Sequence, residues 1–217
     1  MLKWAVIPSC CRPAELAGLV SALLADSVFP VVIDTGYEPP YVSGHNWVSV
    51  IRDEDPERNV SRWWNHGLRY IAEKMEPLPE EYVIGMFNDD VVIPDHFVTG
   101  LAEALIEHDV DIAYPDQGGS GTQRYDWHRS PALPYRMSGY AFVLRGSAGI
   151  FGDETIKWWY GDDDVEWQAR AGRGTLCVGG VTVQHLYPSS TTVGELAEQA
   201  ERDRVTFQEK WAGRTPW

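Results

Sequence analysis

Hydrophobic positions near the N-terminus come in short runs, each closed by a residue that ends regular structure. Residues 2–8, LKWAVIP, are nearly all apolar and stop at proline, the pattern of a strand buried on both faces. The next stretch, PAELAGLVSALLAD, changes period. It opens on Pro13, which suits a first helical turn, and places Leu16, Leu19, Val20, Leu23 and Leu24 on one face. The alternation then repeats. FPVVIDTG and NWVSVI read as a second and third strand, and EYVIGMF as a fourth. Between them, residues 57–75 read as a helix with Val60, Trp64, Leu68, Ile71 and Met75 to one side. PDHFVTGLAEALIEH is a further helix with Phe97, Val98, Leu101 and Leu105 inward, and DVDIAYP a fifth strand.

Strands and helices in alternation, with near-continuous apolar strands, predict an α/β fold: a Rossmann-like, mostly parallel central sheet flanked by helices, followed by a smaller mixed lobe. Ligands of such sheets bind beyond the carboxyl ends of the strands. Three predicted strands end on that rim, at Pro8-Ser9-Cys10, Asp34-Thr35-Gly36 and Asn88-Asp89-Asp90. From about residue 115 the texture changes. A long Gly-, Pro- and aromatic-rich loop is followed by the strand SGYAFVLR and by a helix starting at DDDVEWQARAG. A strand pair follows around Gly179-Gly180, and then a polar C-terminal helix.

Charge narrows the partners. Lys plus Arg number 18 against 32 Asp plus Glu, a formal net charge of -14. Such a chain is a poor match to a polyanion, so nucleic acid is disfavoured, and no basic run suits an anionic membrane surface. An anionic small molecule would need a bound cation as intermediary. No apolar stretch reaches the ~18 residues of a membrane span, and Pro8, Arg12-Pro13 and Glu15 break any signal-peptide core. Cys10, Cys11 and Cys177 lack zinc spacing and read as reduced thiols, so a cytoplasmic protein is expected. The ten Trp offer flat contact faces, although most belong in a core.

Four groups carry candidate chemistry. Asp89 and Asp90 are adjacent carboxylates at a strand end. Burying either unpaired costs several kcal/mol, on the order of the desolvation of a charge, so a cation belongs there or the pair faces water. Hard carboxylate oxygens suit Mg²⁺ or Mn²⁺; the alternative is a solvated turn that caps the next helix. Asp162, Asp163 and Asp164, with Glu166, form a second acidic knot. Crowded carboxylates have raised pKa values and serve as general bases, or the knot is a solvated helix start. His185 ends a β-branched run and needs nearby carboxylates to be a metal ligand. Arg58, Arg62 and Arg69 are either surface ion-pair partners or contacts for a diphosphate, and Asn65 and Gly67 interrupt the helix that carries them.

Taken in order, these segments resemble the GT-A nucleotide-sugar glycosyltransferases, most closely the inverting family 2. WAVIPSCCRPAEL is similar to that family's opening strand and helix, VVIDTG to its second strand end, and NVSRWWNHGL to a segment ending Asn-x-Gly-Leu. FNDDVVIPDHF resembles the D-x-D region, MSGYAFVLRG with FGDE the acceptor-side strand, DDDVEWQAR the E-D motif with its arginine, and VTVQHL the strand with the metal histidine. The match covers most of residues 3–187. The departures are Asn88 at the first D-x-D position, an Asp triplet for the acidic pair, and Trp64 where an arginine is usual.

The resemblance implies one GT-A domain over residues 1–217, with 1–114 as the nucleotide-binding half and 115–217 as the acceptor-binding half and C-terminal helix. It implies Asp90 and His185 as ligands of Mn²⁺ or Mg²⁺, and Pro8, Ser9, Asp34, Arg62, Asn65, Asn88, Asp89 and Gly139 around a UDP-, GDP- or dTDP-sugar. Gly139 is expected to leave room for the sugar. The base is Asp164 if Glu166 and Arg170 align with the family's second acid and arginine, and Asp162 or Asp163 in other registers. The acceptor stays open among glycans, lipid-linked sugars, protein side chains and modified nucleobases. Two other readings are a nucleotidyltransferase acting on a sugar phosphate and a non-catalytic carbohydrate-binding module. The first calls for a G-x-G-x-R turn after the first strand, where Ser9-Cys10-Cys11-Arg12-Pro13 stands. The second would release no nucleoside diphosphate.

Overall fold

The computed structural model describes residues 1–36, 46–74, 81–131, 136–187 and 194–213. Strand β1 (Leu2–Ser9) is followed by α1 (Pro13–Ala25), β2 (Phe29–Asp34), β3 (Ser49–Arg52), α2 (Val60–Lys74), β4 (Tyr82–Phe87), β5 (Val91–Val92), α3 (Phe97–Glu107) and β6 (Ile112–Pro115). Then come β7 (Gln123–Tyr125), β8 (Ala141–Arg145), α4 (Gly161–Ala171), β9 (Thr175–Val178), β10 (Gln184–His185) and α5 (Glu195–Lys210). One eight-stranded sheet runs in the order β3-β2-β1-β4-β8-β6-β9-β7, so strands from both ends of the chain share it. The β1–β2, β2–β3, β1–β4 and β6–β9 pairs are parallel; β8 is antiparallel to both β4 and β6, and β7 to β9.

The core lies on both faces of this sheet, which is why its strands are apolar without alternation. Ala5, Ile7, Val32 and Val83 pack against α1 and α3, through Leu16, Leu23, Leu101 and Leu105. Val6, Val31, Ile33 and Ile84 pack on the opposite face, against α2 and α4, through Trp64, Leu68, Ile71 and Val165. A small third cluster of Ile156, Trp167, Phe207 and Trp211 fastens α5 to α4. The five expected strands and their helices form as read, with α2 starting at Val60 and Met75 outside the described residues. Asn65 and Gly67 do not interrupt α2. A Cβ on Gly67 would stand 2.4 Å from Val6 Cγ1, so glycine lets this helix lie directly on β1.

Two features differ from expectation. The segments flanking Gly179-Gly180 do not pair with each other. The buried β9 enters the main sheet between β6 and β7, while β10 crosses to pair antiparallel with β5, His185 opposite Val91. The long loop after residue 115 also contains β7, three residues on the sheet edge whose polar sequence gives no apolar run to detect. Among the described residues, no helix is long and apolar enough to cross a membrane.

Candidate active site

Parallel register brings the strand ends together. Ser9 lies opposite Asp34 across β1 and β2, and the Thr35 N–H donates to the Ser9 carbonyl at 2.9 Å. Beyond β4 the chain turns through Asn88, whose N–H donates to the Tyr140 carbonyl at 2.9 Å. Asp89 then points back to the first strand end: its Oδ2 accepts from Ser9 Oγ at 2.9 Å and from the Cys10 N–H at 3.2 Å. Asp90 follows, only 1% exposed. Because β10 pairs with β5, His185 arrives beside it, with Nε2 3.1 Å from Asp90 Oδ1. The Leu186 N–H donates to the Asp90 carbonyl at 2.9 Å, and the Tyr140 ring stacks on the imidazole at 4.6 Å.

The cation demanded by two buried carboxylates is Arg12, from the turn between β1 and α1. Its Nη1 is 3.0 Å from Asp89 Oδ1 and 2.7 Å from Asp90 Oδ2. Burial works to lower the guanidinium pKa, but Asp89 and Asp90 outweigh it and hold it above its ordinary value. Asp89 is pushed up by burial, against the opposing pull of the Ser9 hydroxyl and Arg12. The Tyr187 ring lies 5.3 Å from the Arg12 guanidinium, and its hydroxyl donates to Glu15 Oε1 at 3.0 Å. A shallow apolar groove lined by Ala14, Gly18, Val91 and Leu186 runs alongside these residues.

Among the described residues no group of three or more His, Cys, Asp and Glu is arranged to hold a metal ion. The pair Asp90 and His185 nevertheless fits one. Two ligands about 2.1 Å from an octahedral ion, at right angles, stand about 3.0 Å apart, and these two atoms are 3.1 Å apart. Such an ion would take its remaining ligands from water and phosphate oxygens, as Mg²⁺-type sites commonly do.

The second acidic knot forms the start of α4, and its members face different ways. Asp162 accepts from the Gly139 N–H at 2.9 Å, one residue before Tyr140, whose ring stacks on His185. A Cβ on Gly139 would lie 2.9 Å from Asp162 Cβ, so the space left by this glycine is filled by Asp162. Burial raises the Asp162 pKa, opposed by Arg136 and by the Gly139 N–H. Asp163 is paired with Arg136. Asp164 turns toward α5 and is fully buried. Its Oδ1 takes Trp211 Nε1 at 2.9 Å and Lys210 Nζ at 2.8 Å, and its Oδ2 takes Gln168 Nε2 at 2.9 Å and the Asp153 N–H at 3.3 Å. Glu166 is buried and pushed up to about 7 by desolvation, against the attraction of Arg136 and Arg170.

The other sequence candidates spread along the rim. Asp34 accepts from Arg52 at 2.5 Å and from the Gly36 N–H at 3.0 Å, with Pro8 half-buried one residue before its partner Ser9. Arg62 is engaged by Asp53 at 3.0 Å and Asp55 at 2.7 Å, and no ion pair or hydrogen bond joins it to Asp89 or Asp90. Asn65 is buried and exchanges two hydrogen bonds with the Gly152 backbone, at 2.8 and 2.9 Å, fastening α2 to the loop before α4. Sequence reading missed Arg12, Tyr140 and Tyr187 as neighbours of the carboxylates. A usable signal existed for Arg12: it is the sole Lys or Arg within four residues of the three strand ends first noted on this rim.

No family model matches this sequence, and no curated protein matches it. Solved structures do match in fold. A structure of residues 1–349 of TarS from S. aureus superposes with a TM-score of 0.65 at 12% identity, over 98% of this chain and 73% of that one. The same TarS piece in complex with UDP gives 0.65 at 15% identity, over 83% and 59%. GalNAc-T7 with UDP, GalNAc and Mn²⁺ gives 0.66 at 16% identity, over 97% of this chain and 49% of that one. The chain therefore spans about half to three quarters of these molecules. Both are glycosyltransferases, and the fold of this protein is their GT-A fold.

Proposed function

We propose that this protein transfers a glycosyl group from a nucleoside-diphosphate sugar to an acceptor hydroxyl, with inversion and with help from a divalent ion. The observation that supports it is the meeting of Asp89, Asp90 and His185 on the carboxyl rim of the parallel strands, in a fold whose solved neighbours include complexes with UDP and with UDP and Mn²⁺. In this reading residues 1–114 bind the donor and 115–217 the acceptor, within one GT-A unit. UDP is the first donor nucleotide to test.

Asp34 accepts from the nucleoside with the lone pairs that Arg52 and Gly36 leave open, beside Pro8, Ser9 and Asn88. Asp89 lies toward the ribose or donor sugar. Asp90 and His185 would hold the divalent ion, whose charge when bound stabilises the departing diphosphate. Asp162 is the proton acceptor. The acceptor oxygen forms its bond to the anomeric carbon as its proton passes to the Asp162 carboxylate. The bond from that carbon to the diphosphate oxygen breaks on the opposite side and its electron pair leaves with the phosphate. Asp162 is preferred to Asp164 because the four lone-pair directions of Asp164 are already filled by Trp211, Lys210, Gln168 and Asp153.

A thermal-shift panel of UDP, GDP and dTDP with and without Mn²⁺, followed by detection of nucleoside diphosphate released from the matching sugars, tests this reading. Stabilisation by one nucleotide and its metal-dependent release are expected, and Asp90→Ala should remove that release by a factor on the order of 10³. A chain that neither binds any of the three nor releases any is not a transferase of this class.

A further inference from the structure

Arg12 takes the place of a cation between Asp89 and Asp90, on the opposite oxygen of Asp90 from His185. A single nitrogen, Nη1, takes one oxygen from each aspartate, at 3.0 and 2.7 Å, as a monatomic ion would. The two carboxylates are buried and fixed by Ser9, the Cys10 N–H and the β5–β10 pairing. Arg12 is not fixed in that way. Its side chain is 40% exposed, it makes no side-chain cap to α1, and beyond the two aspartates it rests against the face of Tyr187, 5.3 Å from the guanidinium. The acids are the buried partners, and the cation is the one that reaches solvent.

We propose that Arg12 is a resident counter-cation that closes the Asp89–Asp90 site to free divalent ions, and that the donor's diphosphate draws it away. The proposal rests on the donor-binding reading above. In the nucleotide-free protein Arg12 neutralises one of two negative charges and holds Asp90 Oδ2, so a divalent ion arriving at Asp90 Oδ1 and His185 meets a repelling charge on a carboxylate that is already shared. A diphosphate offers the guanidinium better-matched oxygens. Once Arg12 turns to them, Asp90 Oδ2 is released and the carboxylate keeps His185 beside its Oδ1. Ion and nucleotide then bind together rather than singly, which is reciprocal coupling through one side chain. In an acidic protein this prevents the site from filling unproductively with cations.

The test is Mn²⁺ binding to nucleotide-free protein, followed by the loss of the free Mn²⁺ paramagnetic resonance signal. Arg12→Gln should bind Mn²⁺ roughly 10- to 100-fold more tightly than wild type, the effect of removing one unit charge a few ångströms from a divalent ion in a partly screened site. Adding Asp90→Asn to that variant should abolish the gain. UDP affinity without metal should fall in Arg12→Gln, because the guanidinium that receives the diphosphate is gone. Equal or weaker Mn²⁺ binding in Arg12→Gln overturns the proposal, as does a gain that survives Asp90→Asn, or unchanged UDP affinity. A measurement on wild type guards against misfolding of the variant: saturating Mn²⁺ alone should increase phenylglyoxal labelling of Arg12, read by peptide mass, and unchanged labelling counts against displacement. If UDP binds to neither protein, the donor reading fails, while the Mn²⁺ comparison still decides whether Arg12 guards the carboxylates.

Discussion

The two sides of the candidate site are built by different physics. On the proposed donor side, backbone register does the placing. Ser9, Asp34 and the Asn88–Asp90 turn are the ends of neighbouring parallel strands, and each stands where its ladder puts it. On the proposed acceptor side, side chains do the placing. Asp203 of α5 is fully buried and accepts from the N–H groups of Lys157, Trp158 and Trp159 at 3.0, 2.7 and 2.9 Å. Trp211 and Lys210 take hold of Asp164 just beyond. The start of α4 is thus fixed by a distant helix rather than by the sheet. Substitutions should divide accordingly: on the donor side they remove chemistry, and on the acceptor side many of them loosen the frame first.

Asparagine at each of Asp162, Asp163 and Asp164 gives the largest expected contrast. Asp162→Asn should lower kcat by a factor of about 10² to 10⁴, the range for loss of a positioned general base, with little change in melting temperature. Asp164→Asn should lower the melting temperature, because a carboxylate with four donors is replaced by a group that cannot accept them all. The opposite result, with Asp164→Asn stable but inactive and Asp162→Asn active, would move the base two residues along α4 and place chemistry inside the α5 network.

Asp203→Ala is the next test. It strands three backbone N–H groups, which should cost about 3 to 5 kcal/mol in chemical denaturation, while UDP binding by the folded fraction stays normal. Equal loss of UDP affinity in the folded protein would show that the two sides are not separable.

The same division explains what was legible in the sequence. Strands β1 to β4, the helices between them and the common rim follow from local period and from the residues that end each run. Asp89 and Asp90 were visible for the same reason: they interrupt an apolar run. Contacts between distant segments were not visible. His185 reaches Asp90 from 95 residues away because β10 leaves the main sheet for β5, and two-residue strands carry no period that names their partner. Asp203 looks like one more acid on a polar helix face until the loop at 157–159 folds over it. The antiparallel entry of β8 between β4 and β6 is likewise a choice of partner, not of local propensity.

The smallest expected effect concerns Glu166, which asks whether the acceptor side also stores a proton. Its ordinary value is 4.5, and in the folded chain burial raises it to about 7 against the pull of Arg136 and Arg170. The folded state therefore favours the protonated acid. Below about 4.5 both states hold the proton, and its contribution to stability is complete. Between about 4.5 and about 7 the unfolded chain releases the proton and the folded chain keeps it, so stability declines as pH rises, and above about 7 the contribution is gone. Asp89 and Asp162 are also raised by burial and slope the same way, so the wild-type curve alone does not isolate Glu166. Denaturation of wild type and Glu166→Gln at pH 5, 6, 7 and 8 does. The difference between the two should change by about 2 to 3 kcal/mol across that window, with glutamine relatively more stable at the alkaline end. Parallel curves would mean that Arg136 and Arg170 keep Glu166 ionised, and that both sides of the site then hold their acids as charged partners of arginine.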